Sequence, residues 1–251
     1  MSNFGTNYSD YYDLIHNKKN YKQEVQQIID VAGITPEKHK RILDFGCGTG
    51  LHIKEFLELG FDVYGFDISS SMLRQAKINN GDREIFTNNL SDFPEKFDLT
   101  YSLFDVISYQ DNLDSAKKFL KSIIKKTKDA GLILIDGWHA KGAKLDPPKS
   151  VERSFTVNGQ TLKRIVRPLP SEIENLYPLQ IDIEDSMGNS SQEIHTLRAF
   201  SESEIRDLLL EFGCTNIQFS DGKDYLSPLK SNSFRFFVKA NIGKTSSQTY
   251  E

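Results

Sequence analysis

Residues 42–50 have the sequence ILDFGCGTG, and this stretch decides the fold of the 251-residue chain. A short apolar run ends at Asp44, three glycines then alternate with other residues, and apolar residues recur at helical spacing from Leu51 onwards. That order predicts a strand, a tight turn and the start of a helix, the first unit of a doubly wound α/β fold. Glycine suits the turn because it adopts positive φ and lets the backbone approach a ligand closely.

The spacing of the glycines distinguishes two kinds of nucleotide-binding loop. The dinucleotide fingerprint is G-x-G-x-x-G, whereas here the third glycine, Gly50, comes one residue earlier. A second acid, Asp67, ends the next apolar run. A carboxylate at the tip of the second strand can accept hydrogen bonds from both hydroxyls of a ribose. The two features together indicate a site for a ribose-containing ligand.

Residues 44–50 resemble the first motif of the class I S-adenosylmethionine (SAM)-dependent methyltransferases, and residues 65–69 followed by Met72 resemble the second. An ordinary strand–helix turn also carries glycines, but it predicts neither Asp67 nor Met72. The resemblance implies a Rossmann-like α/β fold, in which a seven-stranded, mostly parallel sheet has helices on both faces. It also implies an enzyme that uses SAM, with the glycine loop under the methionine end and Asp67 at the ribose.

The same resemblance implies which residues hold the cofactor. In this family an acid after the third strand usually bonds the adenine amino group, with an apolar neighbour against the ring. Asn89 stands at that place, followed by Leu90, and its amide oxygen can accept the same hydrogen bond. The implied cofactor-binding residues are Asp44, Gly46, Cys47, Gly48, Gly50, Asp67, Ile68, Met72, Asn89, Leu90, Leu103 and Phe104.

The composition limits the partners. The formal net charge of −4 argues against a nucleic-acid partner, which usually leaves a basic footprint. The two cysteines, Cys47 and Cys214, allow neither a disulfide framework nor a zinc spacing, so no metal is expected. No apolar run is long enough to span a membrane, and the first residues lack a signal pattern. We therefore expect a cytoplasmic protein, a monomer or homodimer that acts on a small molecule without a membrane partner.

The chain is expected to form one domain over residues 1–251, with two additions to the α/β core. Residues 1–35 are expected to form a lid, and residues 148–200 an inserted antiparallel β flap with a hairpin turn at Asn158-Gly159. A polar tail from residue 243 is expected to be disordered. The core strands are predicted at 41–45, 62–66, 83–87, 97–102 and 131–135, followed by a helix at 201–212 and an antiparallel strand pair at 214–219 and 233–239.

Methyl transfer depends largely on positioning, and a general base is needed only for an acceptor that arrives protonated. The candidate catalytic residues are Tyr12, Tyr109, His139 and His195. An imidazole after the fifth strand, at His139, suits proton removal near neutral pH, and the alternative is a surface histidine. For His195, on the flap, the alternative is a strand residue bonded to backbone. His16 is expected to be a loop histidine without a partner.

A closer resemblance concerns the acceptor. The chain is similar to the sugar N-methyltransferases, which methylate the amino group of nucleotide-linked aminosugars. The similarity lies in Tyr12 with Asp13, residues 103–109, Trp138 and residues 195–200. This similarity implies methyl transfer to a small-molecule acceptor of that kind. One position departs from the pattern, because His139 follows Trp138 where a second aromatic residue is expected.

The flap carries Arg153, Lys163, Arg164 and Arg167, and paired cations suit a diphosphate. The alternative is a solvated strand face. Two other functions stay open: a methyltransferase with an O or N acceptor on another small metabolite, and a non-catalytic SAM-binding protein. A base-methylating enzyme is disfavoured, because Lys149 stands where its D-P-P motif needs a stacking aromatic residue.

Overall fold

The computed structural model describes residues 6–38, 41–93, 95–157 and 160–243, and its main element is a seven-stranded sheet. The strands are β1 Arg41–Phe45, β2 Asp62–Phe66, β3 Phe86–Thr87, β4 Phe97–Ser102, β5 Thr127–Trp138, β10 Thr215–Asp221 and β11 Arg235–Asn241. Their order is β10-β11-β5-β4-β1-β2-β3. β11 runs antiparallel to β5 and β10, and the other neighbours are parallel. The predicted mostly parallel sheet is therefore confirmed.

Helices cover both faces of this sheet, as predicted. They are α1 Thr6–Ile15, α2 Tyr21–Ala32, α3 Leu51–Glu58, α4 Ser70–Asn80, α5 Leu113–Lys126, α6 Ala140–Leu145 and α7 Glu202–Glu211. Apolar residues of α5 and α7 belong to one buried cluster, and those of α2, α3 and α4 to another. Successive strand residues alternate between the two, as Ile42 and Leu43 do, because side chains on a strand point to opposite faces.

The flap is a separate four-stranded antiparallel sheet between β5 and α7. Its strands are β6 Val151–Val157, β7 Gln160–Pro168, β8 Leu176–Asp185 and β9 Ser190–Arg198, paired in that order. Its Leu162, Ile181 and Ile183 form a buried cluster with Ile15 of α1 and Met72 of α4. This contact joins the flap to the core at the beginning of α4. The turn expected at Asn158-Gly159 and the tail after residue 243 lie outside the described residues.

The elements differ from the sequence prediction in several places, and α6 is one helix that was not predicted. α1 was not predicted, and it forms because Tyr11, Tyr12 and Leu14 pack against the flap cluster, a tertiary contact that no local pattern announces. β3 is shorter than 83–87, since only Phe86 and Thr87 pair with β2. β5 begins at Thr127 rather than at residue 131. None of the described helices combines the length and apolar composition that crossing a bilayer requires.

The topology brings four chain segments to one edge of the main sheet. β1, β2, β4 and β5 are parallel, so the glycine loop, Asp67, residues 103–109 and Trp138 all follow or end strands at the same edge. In doubly wound sheets, ligands bind outside the carboxyl ends of the strands.

Candidate active site

A cavity of about 580 Å³ lies at this edge, between the core and the flap. Its size is typical of a small-molecule site. The lining on the core side consists of Gly46, Gly48, Asp67, Ile68, Met72, Leu103, Phe104 and Asp105. The lining on the flap side consists of Arg164, Leu179, Ile181, His195 and Leu197. Other lining residues include Tyr12, His16, Tyr109, Trp138 and Arg235. Most of the lining is apolar, and the few polar groups are therefore informative.

The glycine loop uses its glycines for different purposes. Gly46 and Gly48 have φ of 92° and 53°, in the region that disfavours side chains. A Cβ on Gly46 would lie 2.8 Å from both methyl carbons of Val106, so this glycine is needed for packing. A Cβ on Gly48 would meet no heavy atom within 4 Å. Gly48 thus leaves open space at the cavity wall, where a ligand can approach the backbone.

The carboxylate of Asp67 is held in a defined orientation beside this loop. Its Oδ2 accepts from the Gly48 N–H and its Oδ1 from the Ser69 N–H, both at 2.8 Å. Burial raises the pKa of Asp67. Each carboxylate oxygen has a further lone pair, so the group can also accept hydrogen bonds from a diol.

A smaller pocket shares Tyr12, Gly46, Gly48, Leu103 and Phe104 with the main cavity. Its other lining residues are Lys19, Tyr21, Asp44, Cys47, Thr49, Leu51 and His52.

The charges in the smaller pocket are of both signs. Asp44 is 3% exposed, and its Oδ2 is buried without a hydrogen-bond partner among the described residues. Burial raises the pKa of Asp44 to about 7. The Lys19 Nζ lies 2.9 Å from Glu24 Oε2 and 3.4 Å from the centre of the Phe104 ring. A buried carboxylate and an ammonium group in one pocket complement the amino and carboxylate ends of an amino acid.

The turn after β4 is strained and firmly anchored. Phe104 and Asp105 both adopt positive φ, 72° and 64°, which is costly for residues other than glycine. Asp136 Oδ1 accepts from the Asp105 N–H at 2.8 Å, and Arg235 forms an ion pair with the Asp105 carboxylate. Burial, followed by the Asp105 charge, raises the pKa of Asp136. These contacts hold the Phe104 ring where the main cavity meets the smaller pocket.

Three polar side chains form a hydrogen-bonded chain at the flap side of the cavity. The Tyr109 hydroxyl lies 3.0 Å from His195 Nδ1, and His195 Nε2 lies 2.9 Å from Glu193 Oε2. The carboxylate favours the tautomer in which Nε2 donates to Glu193, which leaves Nδ1 to accept the Tyr109 proton. Since Tyr109 and His195 both line the cavity, the chain can carry a proton away from a bound ligand.

The predicted catalytic residues fall into two groups. Tyr12, Tyr109 and His195 line the main cavity. His139 does not: its Nδ1 lies 3.0 Å from the Ser233 carbonyl oxygen, and it lines a separate depression with Ser201. The physical reason is strand alternation, because Trp138 lines the cavity and the next residue points away from it.

The predicted cofactor-binding residues divide in the same way. Most of them line one of the two pockets, and Gly50, Asn89 and Leu90 do not. A Cβ on Gly50 would lie 2.8 Å from the Asn80 side chain, so this glycine serves packing against α4. The amide oxygen of Asn89 accepts from the Ser91 N–H and hydroxyl at 3.2 and 2.6 Å. That oxygen caps a short turn on the surface rather than facing the cavity.

Of the four basic residues expected on the flap, Arg164 lines the cavity. Its Nε is buried without a hydrogen-bond partner among the described residues. Arg153 lies directly opposite Arg164 in the strand register. Lys163 pairs with Glu152, and Arg167 with Asp182.

Several functional candidates were missed by sequence reasoning. Lys19, Lys223, Arg235 and His16 reach the two pockets from distant parts of the chain. His16 lies in a turn, as expected of a loop histidine, but it lines the main cavity, which was not predicted. Glu193 could have been found, since residues two apart on a strand share a face. Within the described residues, no group of three or more His, Cys, Asp or Glu is placed to hold a metal ion.

Comparisons with known proteins agree with this geometry. A family model described as a methyltransferase domain matches residues 15–219. The dTDP-3-amino-3,4,6-trideoxy-alpha-D-glucopyranose N,N-dimethyltransferase of Streptomyces venezuelae is 24% identical over 139 residues, which cover 54% of this chain and 59% of that protein. The chain thus aligns with little more than half of that relative's length.

Two solved structures share the fold over nearly the whole chain. DesVI from Streptomyces venezuelae has a TM-score of 0.76 at 18% identity, and covers 96% of this chain and 100% of its own. SAM-bound CalS10, an amino pentose methyltransferase from Micromonospora echinaspora, has a TM-score of 0.71 at 18% identity, and covers 95% of this chain and 97% of its own.

Proposed function

Since this chain belongs to the family of methyltransferase domains, we propose that it transfers methyl groups from SAM to the amino group of a nucleotide-linked sugar. The observation that carries the proposal is the joining of two sites in one space. A pocket suited to an amino-acid end opens into a cavity that holds Asp67 for a ribose on its core side and the Tyr109–His195–Glu193 chain on its flap side.

The cofactor residues are proposed from the fit of the two pockets. SAM supplies an electrophilic methyl group on a sulfonium. Asp67 binds the ribose hydroxyls, and Ile68 and Met72 supply apolar contacts on the adenosine side. In the smaller pocket, the unpartnered oxygen of Asp44 receives the amino group and Lys19 the carboxylate.

The Tyr109–His195–Glu193 chain is proposed to remove the proton that an amine carries at neutral pH. Tyr109 takes a proton from the ammonium while its own proton passes to His195 Nδ1. Glu193 stabilises the imidazolium that forms. Such general-base assistance contributes about 10²- to 10⁴-fold in rate. Tyr12, at the junction of the two pockets, is proposed to position the acceptor.

The acceptor class follows from the rest of the cavity wall. Arg164 and Lys223 offer cations for a diphosphate, and a guanidinium binds phosphate in bidentate fashion. Trp138, Leu179 and Leu197 form an apolar wall against which a deoxygenated sugar ring can pack. A nucleotide-linked aminosugar is also the substrate that the name of the Streptomyces venezuelae relative gives for that enzyme.

We also propose that α1 acts as a lid over the cofactor. Asp13 accepts hydrogen bonds from the Thr49 hydroxyl and from Asn79 Nδ2, and so connects the lid to the glycine loop and to α4. The Tyr11 hydroxyl bonds Asp185 of the flap at 3.1 Å. Residues 1–251 are then one functional domain, acting in the cytoplasm as a monomer or homodimer.

The test is turnover with a defined acceptor. Purified protein is incubated with SAM and the dTDP-3-aminosugar named for the relative, and S-adenosylhomocysteine and the methylated sugar are detected by mass spectrometry. We expect the sugar to gain one or two methyl groups, whereas the matching dTDP-sugar with a hydroxyl in place of the amine should gain none. Tight SAM binding without turnover on any dTDP-aminosugar would favour a non-catalytic SAM-binding protein or another acceptor.

A further inference from the structure

His16 stands where the two pockets meet. It follows α1, and its side chain lines the main cavity. Its ring centre lies 4.5 Å from that of Tyr12 and 5.2 Å from that of Phe104. Tyr12 and Phe104 line both the main cavity and the smaller pocket. His16 is therefore beside the passage through which a methyl group must pass from donor to acceptor.

The ring nitrogens of His16 are available to a ligand. Within the described residues, the imidazole makes ring contacts with Tyr12 and Phe104 but no hydrogen bond. The imidazole is half-buried at the border of a largely apolar cavity, so its ring nitrogens can be reached by a ligand. A ligand in the cavity can supply a hydrogen-bond partner.

The groups that face His16 from the surrounding elements are cations. They are Arg164 of β7, Arg153 of β6, Arg235 of β11 and Lys19, which follows in the chain. Burial, followed by these charges, lowers the pKa of His16 to about 3. The imidazole is therefore neutral at physiological pH and keeps one unprotonated nitrogen as a hydrogen-bond acceptor. The same cations disfavour a positive charge on any amine placed beside it.

We propose that His16 contacts the acceptor amine and, as a neutral imidazole, accepts a hydrogen bond from one of its N–H groups. This inference rests on the proposed amine acceptor. The hydrogen bond orients the amine so that its lone pair points to the methyl group. Tyr109 first takes the proton that the ammonium carries. The lone pair then forms the new N–C bond, the C–S electron pair stays on sulfur, and the positive charge of the sulfonium passes to the methylated nitrogen.

Sinefungin tests the location of His16 without any acceptor substrate. This SAM analogue carries an amino group in place of the sulfonium methyl, whereas S-adenosylhomocysteine carries nothing there. The informative variants are His16→Phe, which keeps a ring beside Tyr12 and Phe104, and His16→Asn, which keeps a neutral acceptor. Isothermal titration calorimetry gives the dissociation constants of both ligands for each variant.

We expect His16→Phe to weaken sinefungin binding about tenfold and S-adenosylhomocysteine binding less than about twofold, because only the amine loses a hydrogen bond. His16→Asn should keep sinefungin binding close to that of the unmodified protein. Equal losses for both ligands would indicate a structural role and overturn the proposal, as would no loss for either. Because these ligands are cofactor analogues, the result is independent of whether dTDP-aminosugars are turned over.

Kinetics with the dTDP-aminosugar provide the second readout. His16→Phe should lower kcat while the KM for SAM stays constant, and His16→Asn should restore much of the rate. The acidic limb of the pH–rate profile should not move in His16→Asn, since His16 does not titrate in that range. His139→Asn, at a histidine outside the cavity, is the matched control. A shift of the acidic limb in His16→Asn but not in His139→Asn would overturn the assignment of a neutral acceptor.

Discussion

Alanine at Gly48 should separate cofactor binding from folding. Gly48 has φ of 53° and a Cβ there would meet no protein atom within 4 Å, so the cost to the fold is limited to the left-handed conformation. That cost is about 1 kcal/mol. For a chain of this size, it corresponds to a fall in Tm of about 2–4 °C. The added methyl group occupies the space that we assign to the cofactor, and a steric conflict of about 1–3 kcal/mol there weakens SAM binding by about five- to 150-fold.

Gly33 and Gly46 provide the matched controls. Gly33, at the end of α2, has φ of 63°, and a Cβ there would likewise meet no heavy atom within 4 Å, so Gly33→Ala should lower Tm equally and leave SAM binding unchanged. Gly46→Ala brings a methyl group 2.8 Å from Val106, and this overpacking should lower the free energy of unfolding by an additional amount of about 1–3 kcal/mol. The Tm of Gly46→Ala should therefore fall by about 2–12 °C more than that of Gly33→Ala.

Differential scanning fluorimetry measures Tm, and isothermal titration calorimetry measures the dissociation constant of SAM. If Gly48→Ala binds SAM with the affinity of the unmodified protein, then the space beside Gly48 is not the cofactor site. If Gly33→Ala weakens SAM binding to the same extent as Gly48→Ala, the effect is a general loss of stability. That result would also contradict a cofactor site beside Gly48.

Three further predictions address the acceptor side and the buried acid. Tyr109→Phe and His195→Gln should each lower kcat about 10²-fold or more, while the SAM affinity measured by calorimetry stays unchanged. A normal kcat in either variant would contradict the proposed proton relay. Arg164→Ala should raise the KM for a dTDP-aminosugar about tenfold. Arg167→Ala should leave it unchanged, because Arg167 is paired with Asp182. Equal KM values for the two variants would contradict the role of Arg164 in binding the diphosphate. Because the pKa of Asp44 is about 7 in the folded chain, above its ordinary value, the folded state holds this proton more tightly than the unfolded state. Asp44 should therefore contribute a fall of about 1.4 kcal/mol per pH unit to the free energy of unfolding between about pH 4 and 7. In urea denaturation, the pH slope of Asp44→Asn should be less negative than that of the unmodified protein by this amount, while the contributions of Asp136 and His16 stay.

The sequence by itself determined the fold class, and it predicted most of the residues that we propose for the cofactor. Three glycines between a strand and a helix have few alternatives, because positive φ and close backbone approach both require glycine. The acids Asp44 and Asp67 end strands, so parallel topology alone brings them to one edge. Alternating strand and helix periodicities located β1, β2 and β4 at the predicted bounds. These signals are local in the chain and can be recognised without knowing its packing.

Only the tertiary structure decided which side chains line the cavity that we assign to the acceptor. Tyr109 and His195 are 86 residues apart, and their contact depends on how β9 of the flap packs against the turn that follows β4. His139 and Asn89 have suitable chemistry but point elsewhere, one because of strand alternation and the other because it caps its own turn. His16 lines the main cavity only because α1 packs on the flap. Composition and spacing describe neighbours along the chain. The geometry of catalysis depends on neighbours in space, and the packing between distant segments determines which residues become such neighbours.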